Sequence, residues 1–189
     1  LTIPASCGLW VMSKPIIGLL FQHGNFSAAA TENTARALSG LAIGLAGFSV
    51  YLFVLRGFYA RNDTRTPFFI NVAENAINIV LAIVLVDRHG VFGLGLSFSI
   101  AYLVSALIAL LVLESTEVDI KLSELAFNIA RIAIAAGAMT CVVWFTIRHV
   151  GSEAGLGALS RVVAGTLIGA ATYGVALSAL GEKTMRDYL

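Results

Sequence analysis

Arg56-Gly-Phe-Tyr-Ala-Arg-Asn-Asp-Thr-Arg-Thr-Pro67 decides how this chain is organised. It sets three arginines and an aspartate between two apolar runs, 37–55 and 68–86. Each run is about long enough to cross the hydrocarbon core of a bilayer as a helix. A charged, turn-forming insert between two such runs is where a membrane helix leaves lipid, turns and re-enters. Asp63 and Thr64 have side chains that bond nearby backbone amides, so they are expected to shape the turn. Thr66-Pro67 reads as the start of the next helix, with Thr66 at the N-cap and Pro67 at the first helical position.

Working outward, composition agrees with that reading. Of 189 residues, 58% are hydrophobic and only 12% charged. Mean hydropathy is +0.89. A soluble domain carries roughly 25% charged residues. The net charge of +1 gives no basic surplus for nucleic acid. The two cysteines, Cys7 and Cys141, lie far apart inside apolar runs, which excludes a disulfide framework and any Cys-x-x-Cys metal site. There is no hydrolase motif, no phosphate-binding glycine loop and no pair of catalytic carboxylates. The chain is therefore not read as an enzyme, and no cofactor is implied.

Six apolar segments follow one another: 1–22, 33–58, 67–86, 91–113, 124–147 and 158–180. They are too long for barrel strands and lack the alternation such strands require. The fold class is all-α: a polytopic membrane helical bundle of about six spans. Residues 1–113 form one block of helices, 114–123 a loop, and 124–189 two more helices with a short tail. Pro15 should kink the first helix near Met12. Ser27 or Thr31 can cap the second. Gly90 and Gly93 bracket a very short turn, making spans three and four antiparallel neighbours. Gly151 to Gly157 is a flexible link between spans five and six. The opening stretch Leu1 to Met12 resembles the interior of a membrane helix rather than a signal peptide, which predicts that the chain is one piece of a longer protein.

Charge placement gives orientation. With alternating spans, Arg56, Arg61, Arg65, Lys121, Lys183 and Arg186 fall on one side, and only the loop residues Arg88 and Arg148 on the other. That bias places the first set, and both chain ends, in the cytoplasm. His23, His89 and His149 all fall on the outer side and are scattered, so no metal site is expected. The acidic group Glu114, Glu117 and Asp119 reads as a solvated loop.

Within the spans, Gly40-x-x-x-Gly44 with Gly47, and Gly165-x-x-x-Gly169, permit close helix approach. They serve either fixed packing or a sliding interface. The third span carries Asn71, Glu74, Asn75 and Asn78 at helical spacing on one face. Ionisable groups in a span usually face a bundle interior or a water-filled cavity. The stripe therefore lines a polar cavity, coordinates a cation, or forms an interhelical hydrogen-bond seam. The opposite face, with Ala73, Ile77, Val80 and Val84, is apolar.

The stretch 56–67 resembles the R-x-F-Y-A-x-x-D-T-x-T-P signature of the MurJ/MviN lipid II flippases, members of the multidrug/oligosaccharidyl-lipid/polysaccharide exporter superfamily. Pro15-Ile-Ile-Gly-Leu-Leu-Phe-Gln-His-Gly-Asn-Phe26 resembles that family's P-I-I-x-x-L-F-x-x-G-x-F, in the expected order and spacing. Gly93-Leu-Gly-Leu-Ser97 resembles the entry of its next helix. The resemblance implies a fourteen-span fold of which this chain covers spans nine to fourteen. It implies a role in moving undecaprenyl-linked peptidoglycan precursor across the bacterial cytoplasmic membrane, with membrane lipids and a missing N-terminal lobe as partners. Arg56, Arg61 and Arg65 would then lie at the cytoplasmic mouth, either attracting anionic lipid heads or pinning topology. Another polysaccharide-lipid or drug exporter of the superfamily, a non-transporting scaffold, or an inactive fragment are the alternatives. The sequence departs from its relatives at Lys14, at Ala82, where a second polar residue is common, and at Phe98, where a small or hydroxyl residue is common. The last two put a cation site between spans three and four in doubt.

Overall fold

Twenty or so apolar residues in lipid must satisfy every backbone group internally, and a helix does this within one segment. The computed structural model describes residues 1–22, 25–115, 122–151 and 155–180, which form six α-helices and, among the described residues, no strand. They are α1 (Thr2–Phe21), α2 (Ala28–Ala60), α3 (Arg65–His89), α4 (Val91–Glu114), α5 (Leu122–His149) and α6 (Gly155–Ala179). All six are long and apolar enough to cross a membrane. Most outrun the apolar segments read from sequence, because polar residues at the ends continue the helix beyond the hydrocarbon-length run. The excess is largest in α2, whose 33 residues span about 50 Å. It starts just after Ser27, whose hydroxyl accepts the Ala30 amide at 3.2 Å. α1 runs as one helix through Pro15.

The turn between α2 and α3 accounts for its sequence residue by residue. The Asp63 amide donates to the Phe58 carbonyl and the Asn62 amide to the Tyr59 carbonyl, each at 3.0 Å. This pair of bonds ends a helix when the next residue is left-handed. Asn62 takes that conformation, with φ 58°, and Asn tolerates it better than most side chains. Asp63 Oδ1 then accepts the amides of Arg65 and Thr66 at 3.0 and 3.1 Å. One carboxylate thus closes α2 through its backbone and opens α3 through its side chain. The expected N-cap at Thr66 is corrected: the cap position is Thr64, and the helix begins at Arg65. Asp63 accepts the Arg65 and Thr66 amides, so the helix starts earlier than a Thr66 cap would allow. Pro67 falls in the first turn, where no intrahelical donor is needed.

α3 and α4 are joined by Gly90 alone, at φ 59° and ψ −139°. A Cβ there would be strained. Close behind it, a Cβ on Gly93 would lie 2.3 Å from the Leu85 carbonyl oxygen, so a side chain at 93 would push the two helices apart.

The helices fall into two compact units. One contains α2 from Glu32, α3 and α4. Its core is Tyr51, Val54, Leu55, Phe58, Ile70, Ala106, Ala109 and Leu113. Here the glycines of α2 press on α4. A Cβ on Gly40 would lie 2.8 Å from the Phe92 carbonyl, and one on Gly44 only 2.4 Å from Ser99 Cα. Contact this close lets Ser99 Oγ donate to the Gly40 carbonyl at 2.6 Å. Phe48, Phe98 and Tyr102 stack across the same interface, with Phe98 and Tyr102 centroids 4.5 Å apart.

The other unit contains α1, α5 and α6. Met12, Met139 and Val143 form its core, flanked by Cys7, Val11, Ile16, Ile147 and Tyr173. Gly165 and Gly169 of α6 face Met12, Val143 and Met139. The Gly151-to-Gly157 link is shorter than expected, because α6 begins at Gly155; residues 152–154 lie outside the described part. Arg161 of α6 donates to the Val150 and Gly151 carbonyls at 2.8 and 3.1 Å, tying down the end of α5.

Candidate functional site

The polar residues of α3 do not behave as one stripe. Glu74 is buried, at 2% exposure, and Asn78 is half-buried, whereas Asn71 and Asn75 are exposed. The division follows from the wheel: Pro67, Ile70 and Glu74 are the buried line of α3, and Asn71 and Asn75 lie one residue around from it. Asn75 Nδ2 donates to the Asn71 carbonyl at 2.8 Å and to Asn71 Oδ1 at 3.2 Å. Asn71 Nδ2 in turn reaches the Tyr51 hydroxyl of α2 at 3.5 Å. On the inner line, Ser97 Oγ of α4 donates to Asn78 Oδ1 at 3.0 Å. The stripe thus makes two separate sets of bonds, Asn75–Asn71–Tyr51 toward α2 and Asn78–Ser97 toward α4, with an exposed edge at Asn71 and Asn75.

Glu74 lies between the bonded pairs. Tyr51 and Tyr102 lie in its neighbourhood. No lysine, arginine or histidine among the described residues pairs with it. On α4, Ser105 is fully buried and its hydroxyl has no hydrogen-bond partner among the described residues. The sequence reading missed Tyr51, Tyr102, Ser97 and Ser105. The signal available was Ser97-x-x-x-Ala101-x-x-x-Ser105, a line of small and hydroxyl residues at one-turn spacing in an otherwise apolar span.

A crevice of about 360 Å³ opens between α2, α3 and α4, lined by Ala37, Leu41, Asn78, Ala82, Leu94 and Phe98 among others. Ala82 and Phe98, the two departures noted in the sequence, both line it. Asn78 and Ser97 supply its side-chain polarity and are bonded to each other. That donor set does not suit a cation: it holds no carboxylate, and Asn78 Oδ1 is already engaged.

Arg56, Arg61 and Arg65 are all exposed. Arg65 borders an open hollow of about 480 Å³ with Thr64, Phe68 and Phe69. Arg61 acts on the Asp63 carboxylate. Bonds from Thr66, strengthened by the Arg65 amide and by Arg61, hold the Asp63 carboxyl below its ordinary value. His89 and His149 are exposed, and no His, Cys, Asp or Glu cluster suited to a metal occurs among the described residues. His23, Lys121, Lys183, Arg186, Glu117 and Asp119 lie outside the described part.

Comparison with known proteins matches this arrangement to one family. The family model described as lipid II flippase MurJ matches residues 1–164. A probable lipid II flippase MurJ of Rhizobium meliloti is 33% identical over 147 residues, covering 78% of this chain and 28% of that protein. The corresponding protein of Thermotoga maritima is 36% identical over 103 residues, covering 54% of this chain and 22% of that one. A solved structure titled lipid II flippase MurJ, inward closed conformation, superposes with a TM-score of 0.82 at 26% identity, over 97% of this chain and 37% of that chain. The chain therefore spans well under half the length of the relatives it matches. Because that family model covers residues 1–164, most of its length, the chain belongs to the MurJ lipid II flippase family.

Proposed function

We propose that this chain is the working C-terminal portion of a flippase that carries undecaprenyl-linked peptidoglycan precursor from the inner to the outer leaflet of the bacterial cytoplasmic membrane. The family match over residues 1–164 is the observation that carries this reading. The physical task is to pass a pyrophosphate-bearing head through hydrocarbon while its tail stays in lipid. A polar cavity between two lobes, open to the side and alternately to each face, accomplishes it. In this reading an N-terminal lobe supplies the opposite wall of the cavity. The exposed Asn71–Asn75 edge of α3 contributes polar wall on this side. The transport needs no covalent chemistry from the chain.

Both chain ends lie in the cytoplasm in this proposal, and the α2–α3 turn faces the same side. Arg56, Arg61 and Arg65 then hold the turn there and stand where anionic lipid heads arrive. In this proposal α5 and α6 resemble the family's last two spans.

The test is a chimera. Residues 1–164 replace the corresponding segment of the Rhizobium meliloti relative, and the product is expressed in a bacterium depleted of its own flippase. Growth and precursor accessibility at the outer leaflet should be restored, while the chain expressed alone should restore neither. A chimera that inserts at normal level yet leaves the precursor inside overturns the reading.

A further inference from the structure

The hollow beside the α2–α3 turn has a make-up that the turn itself does not need. Thr64, Arg65, Phe68 and Phe69 line it, and it holds about 480 Å³. The backbone of the turn is already served: Asp63 takes the amides of Arg65 and Thr66. Pro67 has no amide hydrogen, and the Phe68 amide donates to the Thr64 carbonyl. The first amides of α3 are therefore engaged, so any attraction of the hollow for an anion comes from side chains. The Thr64 side chain makes no capping bond. The Arg65 guanidinium is exposed and has no hydrogen bond or ion pair among the described residues. No carboxylate lines the hollow.

The apolar half lies deeper. Phe68 and Phe69 follow Arg65 by three and four residues, which sets them on its face of the helix, about 5 Å farther along the axis. Phe68 is also the first residue of the apolar run 68–86. The two rings are 62% and 67% exposed and brace each other edge to face, with centroids 5.5 Å apart. A cation and a hydroxyl thus stand where the charged turn meets water, and two open aromatic faces stand where hydrocarbon begins. That is the order of groups in a phospholipid from head to tail. The segment 56–67 sets three arginines against one aspartate. Arg61 already acts on that aspartate, and Arg65 is the arginine that borders the hollow.

We propose that Thr64, Arg65, Phe68 and Phe69 form a site for one anionic phospholipid of the surrounding leaflet. The Arg65 guanidinium and the Thr64 hydroxyl donate to the phosphodiester oxygens, which suit a planar, forked donor. The glycerol and the first acyl methylenes lie against the two rings. A soluble phosphate would use the polar pair and leave the rings without a contact. A zwitterionic lipid carries its own cation beside the phosphate and gains less from Arg65. The general pull of the three arginines is here narrowed to one side chain and one ligand, a component of the bilayer rather than a cargo. The site stands whether or not the chain transports anything.

The test places a reporter in the hollow. Trp10 and Trp144, the two native tryptophans, are replaced by phenylalanine, and Phe68→Trp supplies the indole. The chain is placed in phosphatidylcholine nanodiscs containing an equal small fraction of brominated phosphatidylglycerol or of brominated phosphatidylcholine, whose acyl bromines quench an indole on contact. Phosphatidylglycerol should be preferred about fivefold, the worth of one basic side chain at an anionic surface. Arg65→Gln should remove the preference and Arg56→Gln should keep most of it. Equal quenching by the two lipids overturns the proposal, because the head is then not selected. Absence of quenching by either overturns it too, because protein then covers the ring. Equal losses in the two arginine variants mean a diffuse attraction instead of a site and also overturn it. So does a preference abolished by inorganic phosphate at constant ionic strength, since a soluble anion then takes the hollow. Should Arg65→Gln fail to insert, Thr64→Glu, which sets an acid beside an intact Arg65, must abolish the preference in its place; a preference retained there overturns the proposal.

Discussion

Adding a single methyl group at Gly44 should weaken the α2–α4 interface more than any comparable change on α5. The structure fixes the collision. A Cβ at Gly44 would lie 2.4 Å from Ser99 Cα and 2.5 Å from Ser99 Oγ. The first of these is backbone, so no rotamer change relieves it and the helices must separate. Separation stretches the 2.6 Å bond from Ser99 Oγ to the Gly40 carbonyl. Overpacking of this kind costs about 1–3 kcal/mol, and an interhelical hydrogen bond in a membrane protein contributes roughly 0.6 kcal/mol. Gly44→Ala is therefore expected to destabilise by about 2–4 kcal/mol before its gain in helix propensity of up to ~1 kcal/mol is deducted. The control is Gly137→Ala in α5, where nothing lies within 4 Å of the new atom; it should be neutral or slightly stabilising. Both variants are unfolded reversibly in mixed micelles with rising denaturing detergent. Adding Ser99→Gly to Gly44→Ala should recover part of the loss, because Cβ and Oγ are removed while Cα remains. Equal stability of the two alanine variants would refute the packing argument.

Further outcomes can be checked on the same chain. Asp63→Asn should keep the cap, since the amide oxygen still accepts from Arg65 and Thr66, and Asp63→Ala should lower the unfolding midpoint. Because the Asp63 carboxyl titrates below its ordinary value, its contribution is full above the unfolded-state value near ~4 and disappears as pH falls through the lower folded value; Asp63→Ala should therefore lose its effect in strong acid, whereas a constant difference across that range would contradict the capping role. Asn62→Val, forced into a left-handed position, should cost about 1–2 kcal/mol, measured by the same unfolding assay, with Asn62→Gly neutral or better. Single cysteines at Arg61 and Arg88 should label from opposite faces of the membrane; labelling of both from one side contradicts six alternating spans.

The α2–α3 turn was legible because its chemistry is local. Four bonds between Phe58 and Thr66 explain Asn62 and Asp63, and the misjudged feature was the cap position. That error has a physical source: two good capping residues stand in the segment, Asp63 and Thr66, and the sequence does not say which will reach the amides first. The spans were legible from length and hydropathy for the same reason, since lipid imposes the helix whatever the neighbours. The glycine faces were half legible. Spacing told that a helix would come close, but only the structure told that Gly40 and Gly44 meet Ser99 while Gly165 meets Met12.

The polar face of α3 shows where such reading ends. Asn71, Glu74, Asn75 and Asn78 share one side of a helical wheel, and a wheel assigns them one environment. Packing divides them instead, because α2 and α4 cover an arc narrower than the stripe. Glu74 falls at the centre of that arc, and Asn71 and Asn75 fall at its edge, where they bond to each other and to Tyr51. The covered and uncovered parts then have different physical fates. The buried carboxyl is kept from water by its neighbours, whereas an exposed amide pair is free to meet whatever water or polar head passes along the helix. What sets the boundary between them is the identity of residues on α4: Ala101 and Ser105 are small, so α3 sits close and Glu74 is sealed. Enlarging Ala101 to leucine should therefore push α3 outward and raise the rate at which a cysteine at position 74 reacts with a water-soluble thiol reagent, while a cysteine at position 75 should react quickly in both backgrounds. Unchanged protection at position 74 would mean that something other than the α3–α4 contact keeps the acid from water.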